Sequence, residues 1–145
     1  MEFNADITIE RPVAAAFEAC DDPQVQPHWA ASLISVERDP GQVWGENATF
    51  RQIHEEAGTR QVFEGTILAY QPNQRIRMRL VHADFELVSE LSFEDLGSHC
   101  RVSNATEVEL RSMALKLMKG VMKGVVQKRL DEDLQRLKAL LESVT

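Results

Sequence analysis

The sequence predicts an α+β fold in which a seven-stranded antiparallel sheet wraps around one long C-terminal helix. Two observations support this prediction. Residues 112–143 have the amphipathic periodicity of a helix, and seven strand-like segments separated by turn signals come before them. No part of the chain alternates strand and helix in the pattern that a parallel sheet requires. A chain of 145 residues is expected to form a single domain, here over residues 1–145.

The N-terminal elements are predicted to be one strand and two short helices. Apolar residues alternate with polar ones from Phe3 to Ile9, which indicates a strand with one buried face. Pro12 suits the first turn of a helix, so the Ala-rich segment after it is predicted to be helical. Asp and Pro residues at 21–27 end that helix, and a second short helical turn follows.

Six further strands are predicted from alternating or apolar segments bounded by turn-forming residues. The alternation is clearest after Asn73, where Ile76, Met78 and Leu80 share one face and three arginines share the other. The six segments are 33–39, 47–56, 59–71, 75–82, 84–95 and 100–110.

The C-terminal helix is predicted to be anchored by its second half. Four leucines from Leu130 to Leu141 follow a four-three-four spacing, which places them on one core-facing stripe. The first half is rich in Met and contains Gly120 and Gly124, each of which costs about 1 kcal/mol relative to Ala in a helix. These glycines either kink the helix or allow a close approach of the sheet or of a ligand.

Composition disfavours several classes of function. The formal net charge of −7 disfavours binding to nucleic acid. The lysines that cluster on the C-terminal helix are interpreted as a solvated face rather than as a patch for anionic membrane. Cys20 and Cys100 occur in no CxxC or zinc-ligand spacing, so neither a metal nor another cofactor is expected.

Targeting and membrane-spanning signals are also missing from the sequence pattern. The N-terminus does not have the composition of a signal peptide, and no apolar run approaches the length of a membrane span. We therefore expect a cytoplasmic protein with reduced thiols and without stable membrane insertion. The sequence does not specify the oligomeric state.

Several short motifs occur in an order that a known superfamily shares. ITIERPVAAAFEACDDP resembles its opening strand, proline and helix, and the His-Trp pair at 28–29 resembles its Trp-containing turn. VWGENAT at 43–49 resembles its Val-Gly-Thr turn with two departures, and YQP at 70–72 resembles its strand-ending proline. The most specific motif, DEDLQRLKALLE, resembles its terminal helix. Together these motifs resemble the START/birch-pollen-allergen-like (SRPBCC) superfamily, and within it the polyketide cyclase/dehydrase-like branch.

The resemblance implies a helix-grip fold, in which the antiparallel sheet curls around the long helix and leaves a cavity between them. Proteins with this fold include lipid carriers, hormone-binding proteins, cyclases, hydratases and partner-binding modules. The fold alone therefore does not decide the function. The resemblance also supplies no invariant catalytic residue that could be transferred to this chain.

Polar side chains on the inward strand faces are the candidate orienting groups for a ligand. Strand alternation places five of them inward, and a ligand pocket is usually apolar with a few such groups. Buried polar groups also commonly pair with one another or with water, so both interpretations stay open here. The five residues are Gln52, His54, His82, Asn104 and Thr106.

Two of these residues, His54 and His82, are the candidate acid/base groups, because imidazole titrates near neutral pH. Both also lie near strand ends, where exposed histidines are common. The sequence contains no nucleophile-elbow motif and no Gly-rich phosphate loop. A buried, mutually close pair of histidines would favour an enzyme.

Aromatic and apolar residues complete the predicted binding site. Trp29 is expected either to cap a ligand at the cavity mouth or to anchor the short helices. The methionines either line the cavity, where they adapt to irregular apolar shapes, or fill the core. The predicted ligand-binding residues are Trp29, Phe50, Gln52, His54, Met78, His82, Phe85, Asn104, Thr106, Met118 and Met122.

The leading functional hypothesis is binding or transport of a small apolar ligand, lipid-like or polyketide-like. One alternative is a polyketide cyclase or dehydratase in which the cavity folds the substrate and a histidine transfers protons. The other is a partner-binding module with a vestigial cavity, which a filled and dry interior would favour.

Overall fold

The computed structural model describes residues 1–143 and contains the seven predicted strands. They form one antiparallel sheet with the order β1-β7-β6-β5-β4-β3-β2, so β2 to β7 are a meander and β1 is added beside β7. This arrangement confirms the predicted fold class. The strands are β1 (Glu2–Ile9), β2 (Leu33–Arg38), β3 (Thr49–Glu56), β4 (Thr59–Gln71), β5 (Arg75–Val81), β6 (Phe85–Asp95) and β7 (Cys100–Leu110).

The helices follow the predicted order with one correction. The segment predicted as a single helix over 112–143 is interrupted at Met118, whose backbone leaves helical geometry at φ −95° and ψ 11°. The Ser112 side chain caps the first piece by accepting a hydrogen bond from the backbone N–H of Leu115 at 3.1 Å. The helices are α1 (Val13–Asp21), a short 3-10 helix (Gln26–His28), α2 (Met113–Leu117) and α3 (Lys119–Glu142).

The two helix glycines are not sites where the sheet approaches α3 closely. A Cβ atom at Gly120 or Gly124 would meet no other atom of the protein within 4 Å. Helix α3 continues through both of them. The interruption lies at Met118 because the surrounding segment is exposed and gains little packing energy to hold one continuous helix.

Local backbone features shape the sheet. The β3–β4 hairpin turns through Ala57 and Gly58, both with positive φ, as expected of a two-residue type I′ loop. The register shifts between Leu33 and Ser35 on β2 and between Ile67 and Ala69 on β4. Such bulges bend and twist the strands, which helps the sheet to curve around the helix.

The second half of α3 is anchored on the sheet as predicted. Leu134, Leu137 and Leu141 are buried in the core that the sheet and α1 form. The Lys138 ammonium donates to the Thr8 carbonyl of β1 at 2.7 Å, which also ties α3 to that edge strand. Within residues 1–143, no helix is long and apolar enough to cross a bilayer.

Candidate functional site

A pocket of about 310 Å³ lies between the concave face of the sheet and α3. This volume is at the lower end of the range that small-molecule sites occupy. Most of the lining is apolar and comes from the central strands and from the first half of α3. The apolar side chains include Met78, Leu80, Leu87, Leu91, Val108 and Met122.

The pocket brings together most of the residues that the sequence singles out. Because side chains alternate strictly along a strand, Gln52 and His54 reach it from β3, and Asn104 and Thr106 reach it from β7. The predicted residues that line it are Trp29, Gln52, His54, Met78, Phe85, Asn104, Thr106 and Met122.

Phe50 lies outside this pocket although its strand face is the predicted one. It pairs with Gly65 on β4, and its ring covers that glycine so closely that a Cβ there would clash with the ring. The ring also packs edge-on against Trp44 at 5.7 Å between centroids. Phe50 is therefore a core residue below the pocket.

His82 and Met118 are likewise outside the pocket. β5 ends at Val81, and the His82 ring then stacks behind Phe85 at 5.1 Å, so Phe85 faces the pocket and His82 does not. Met118 occupies the interruption between α2 and α3 and is 53% exposed.

Trp29 anchors the short helices and also lies at the pocket. Its indole N–H donates to the Ala19 carbonyl of α1 at 2.9 Å, which anchors the short helices to each other. The buried ring also forms part of the pocket wall.

A hydrogen-bonded chain of three side chains lies on one wall of the pocket. His54 Nε2 is 2.9 Å from Gln52 Oε1, and His54 Nδ1 is 2.8 Å from Ser32 Oγ. Because an amide oxygen only accepts hydrogen bonds, Nε2 carries a proton. In the neutral imidazole this fixes the tautomer, and Nδ1 then accepts from the Ser32 hydroxyl.

The environment of His54 keeps it neutral well below physiological pH. Burial is the main cause, and the positive charge of Arg129 adds to it, while the Glu56 carboxylate acts in the opposite direction. Together they lower the pKa of His54 from 6.5 to about 4. The side chain therefore presents an uncharged surface to the pocket.

This pKa shift predicts a pH-dependent loss of stability. Well above pH 6.5, His54 is neutral in both the folded and the unfolded chain. As the pH falls from 6.5 towards 4, only the unfolded chain binds the proton, so the folded state loses stability, by about 2 kcal/mol at pH 5 relative to pH 7. Urea unfolding of wild type and His54→Asn at both pH values measures this difference.

Comparing wild type with His54→Asn separates the contribution of His54 to the pH dependence of stability from the contribution of the carboxylates. We expect the wild type to lose about 2 kcal/mol more than His54→Asn between pH 7 and pH 5. The exposed His28, which lies outside the pocket, supplies a matched comparison in which His28→Asn also removes one histidine. Equal pH dependence in His54→Asn and wild type would contradict the buried, neutral imidazole.

A second polar group lies on the β6–β7 side of the pocket. Asn104 Oδ1 accepts from the Thr106 hydroxyl at 2.6 Å and from the Ser89 hydroxyl at 3.4 Å. The amide oxygen is therefore occupied, and the amide N–H₂ group of Asn104 takes part in no hydrogen bond within residues 1–143. The Gln52 amide oxygen is likewise occupied, by His54, and the Gln52 N–H₂ group takes part in no hydrogen bond within the same residues.

Charged side chains lie on the α3 side of the pocket. Arg129 of α3 forms an ion pair with Glu56 at the end of β3, and both residues line the pocket. Asp133, one helical turn further, accepts from the Ala31 backbone N–H at 3.2 Å, and burial raises its pKa. These contacts tie α3 to the β3 end and to the segment before β2.

The two candidate acid/base histidines are not in contact. The Phe63 ring lies between them, with its centroid 5.0 Å from His54 and 5.4 Å from His82. No ring contact within residues 1–143 joins the two imidazoles directly. Only His54 reaches the pocket, so a two-histidine mechanism has no geometric basis here.

Comparison with known proteins establishes the family. The family model described as polyketide cyclase / dehydrase and lipid transport matches residues 1–142. The chain belongs to this family. A comparison with the sequences of curated proteins finds no match.

Solved structures similar to this family member share its fold at low sequence identity. The Zhui aromatase/cyclase of a Streptomyces species is 13% identical, with a TM-score of 0.82 over 98% of this chain and 93% of that one. TTHA0849 from Thermus thermophilus is 17% identical, with a TM-score of 0.78 over 100% and 99%. A START superfamily protein from Mycobacterium smegmatis is 16% identical, with a TM-score of 0.77 over 99% of each chain. These neighbours show that the chain shares their fold.

Sequence reasoning missed several pocket residues in this family member. Ser32 lies just before β2, and only the tertiary fold brings its hydroxyl to His54. Arg129 and Asp133 sit four residues apart on α3, a spacing that puts them on one helix face, and that spacing is the signal that could have found them. Within residues 1–143, no group of three or more His, Cys, Asp or Glu side chains is placed to hold a metal ion.

Proposed function

We propose that this protein binds a small, mostly apolar ligand that carries hydrogen-bond acceptor oxygens, in the pocket between the sheet and α3. One observation carries the proposal. The apolar pocket contains two side-chain amides, Gln52 and Asn104, whose oxygens are already occupied by protein donors. Their N–H₂ groups can therefore donate hydrogen bonds to acceptor oxygens of a ligand.

The apolar wall and the two amides would contribute differently to binding. Burial of apolar surface contributes about 25 cal/mol per Å² before the entropic costs of association are subtracted. A hydrogen bond exchanged with water adds only about 1 kcal/mol, but an unpaired acceptor oxygen in an apolar pocket costs more than that. Affinity would therefore come from the apolar wall, and selectivity for oxygen-bearing ligands would come from Gln52 and Asn104.

A pair of ligands that differ by one carbonyl tests this assignment. Acetylnaphthalene and ethylnaphthalene share the ring system and a two-carbon substituent, and only the first has an acceptor oxygen. In Asn104→Leu, which keeps the branched side-chain shape and removes the amide, we expect the affinity ratio to shift about tenfold towards ethylnaphthalene. Competition against an apolar fluorescent probe measures both affinities.

The matched control removes a pocket side chain without removing an amide. Leu87→Met keeps an apolar residue in the wall and should leave the affinity ratio unchanged. A ratio that is equal in wild type and Asn104→Leu would exclude the amide as a selectivity group. If neither compound binds to the folded wild type, the ligand-binding proposal itself fails.

A cyclase-type or dehydratase-type enzyme is the second candidate function. The Ser32–His54–Gln52 chain supports it, because a neutral imidazole of fixed tautomer in an apolar pocket can accept a proton from a bound substrate through its hydroxyl partner. Under this candidate, His54→Asn should abolish turnover and leave probe affinity nearly unchanged. The open pocket gives less support to a partner-binding module with a filled interior.

A further inference from the structure

Charge is strongly segregated along this chain. Residues 110–130 contain six Lys and Arg residues and no Asp or Glu. The net charge of −7 therefore divides into +6 in this segment and −13 in the rest of the chain. Arg111 and Arg129 form ion pairs with strand residues, but Lys116, Lys119 and Lys123 form none within residues 1–143.

The same segment holds most of the exposed large apolar side chains. Single exposed apolar residues are ordinary on a protein surface, but five within thirteen residues form a patch. Their exposed fractions are 71% for Met113, 85% for Leu117, 53% for Met118, 65% for Val121 and 55% for Val125.

The apolar and basic side chains are arranged as on an interfacial helix. Met118, Val121 and Val125 follow the i, i+3, i+7 spacing that places residues on one helix face. Met113 and Leu117 share a face of α2 in the same way. Lys119 and Lys123 project from the other side of α3, and Lys116 lies beside Met113 on α2.

The exposed apolar residues change the interpretation of these lysines from a merely solvated face. We propose that α2 and the first half of α3 dock on the surface of a lipid bilayer that contains anionic lipids. An apolar face flanked by lysines is the pattern by which helices lie in the membrane interface, and anionic headgroups attract each such lysine. The charge of −13 on the rest of the chain repels the same surface, so this segment is the one that faces it.

Charge also argues against a second copy of the chain as the occupant. A two-fold dimer places the same patch of both subunits against itself, so two segments of +6 would face each other. Docking on a bilayer instead pairs the segment with negative charge. The proposal rests on this surface and does not depend on the proposed ligand binding. Met122 and Val125 of the segment also line the pocket. Docking would therefore turn the pocket mouth towards the lipid.

Vesicle co-sedimentation tests the proposal with the full chain. The probes are vesicles of phosphatidylcholine alone and vesicles in which about one lipid in three is phosphatidylglycerol. The wild type is expected to bind the anionic vesicles, and raising the salt concentration should weaken that binding because it screens the lysines. Leu117→Gln combined with Val121→Gln should lower the partition coefficient about tenfold or more.

Two further variants separate the contributions to binding. Replacing Lys116, Lys119 and Lys123 together by Gln keeps the apolar residues and should lower partitioning to anionic vesicles about a hundredfold. Val43→Ser is the matched control, because Val43 is 91% exposed but lies outside the segment, and it should bind like the wild type. Circular dichroism checks that each variant keeps its helix content.

Three outcomes would overturn the proposal. They are a wild type that does not bind anionic vesicles, a wild type that binds neutral vesicles equally well, and segment variants that bind like Val43→Ser. A wild type that is dimeric in light scattering, with the dimer lost in the Leu117/Val121 double variant, would assign the surface to a second copy instead.

Discussion

Leu137→Ala is expected to lower the free energy of unfolding by about 2–5 kcal/mol, the usual cost of truncating a buried leucine. Leu137 is 0% exposed and packs in the core between α3 and the sheet. The substitution removes its apolar contacts and leaves a cavity that the surrounding strands cannot fill. Leu134→Ala, one turn away on the same stripe, should behave in the same way. Urea denaturation curves, fitted with one common dependence of the free energy on urea concentration, measure the loss of stability in both variants.

A matched substitution in the exposed part of the same segment supplies the control. Leu117 is 85% exposed, so Leu117→Ala should change the free energy of unfolding by no more than about 0.5 kcal/mol. Met122→Ala should cost less than Leu137→Ala, because Met122 borders the pocket and has less packing to lose. Equal effects of Leu117→Ala and Leu137→Ala would mean that the leucine stripe does not anchor the helix.

Met122→Trp is expected to block the pocket and to weaken binding of an apolar fluorescent probe about a hundredfold. Met122 lines the pocket from α3, opposite the sheet. An indole at this position occupies space that the ligand would need, while the core around Leu134 and Leu137 stays intact. The unfolding midpoint should therefore stay close to that of the wild type.

Val62→Trp is the control for the size and aromatic character of the new side chain. Val62 is 46% exposed on β4 and does not line the pocket, so this variant should bind the probe like the wild type. A Met122→Trp protein that folds and binds the probe with wild-type affinity would place the binding site elsewhere on the molecule.

Strand alternation explains why much of the pocket could be predicted from the sequence. Side chains along a strand have a period of two, so one correctly placed core residue fixes the direction of the others. Gln52 and His54 on β3 and Asn104 and Thr106 on β7 reach the pocket for this reason. The four-three-four leucine spacing likewise places the buried stripe of α3.

The remaining features depend on contacts between distant residues, which periodicity does not describe. Phe50 has the inward direction, but the missing side chain at Gly65 lets its ring pack below the pocket. Chain direction changes after Val81, and this moves His82 behind Phe85. The Arg129–Glu56 ion pair joins residues 73 positions apart, so the sequence offers no local sign of it.

The most direct test of ligand binding in the pocket uses the five methionines as reporters. Met78 and Met122 line the pocket, whereas Met113 and Met118 are exposed outside it. The protein is labelled with ¹³C at the methionine methyl groups and observed by NMR. Titration with acetylnaphthalene should shift the methyl signals of Met78 and Met122. The signals of Met113 and Met118 should stay in place. Shifts confined to Met113 and Met118 would contradict a site between the sheet and α3.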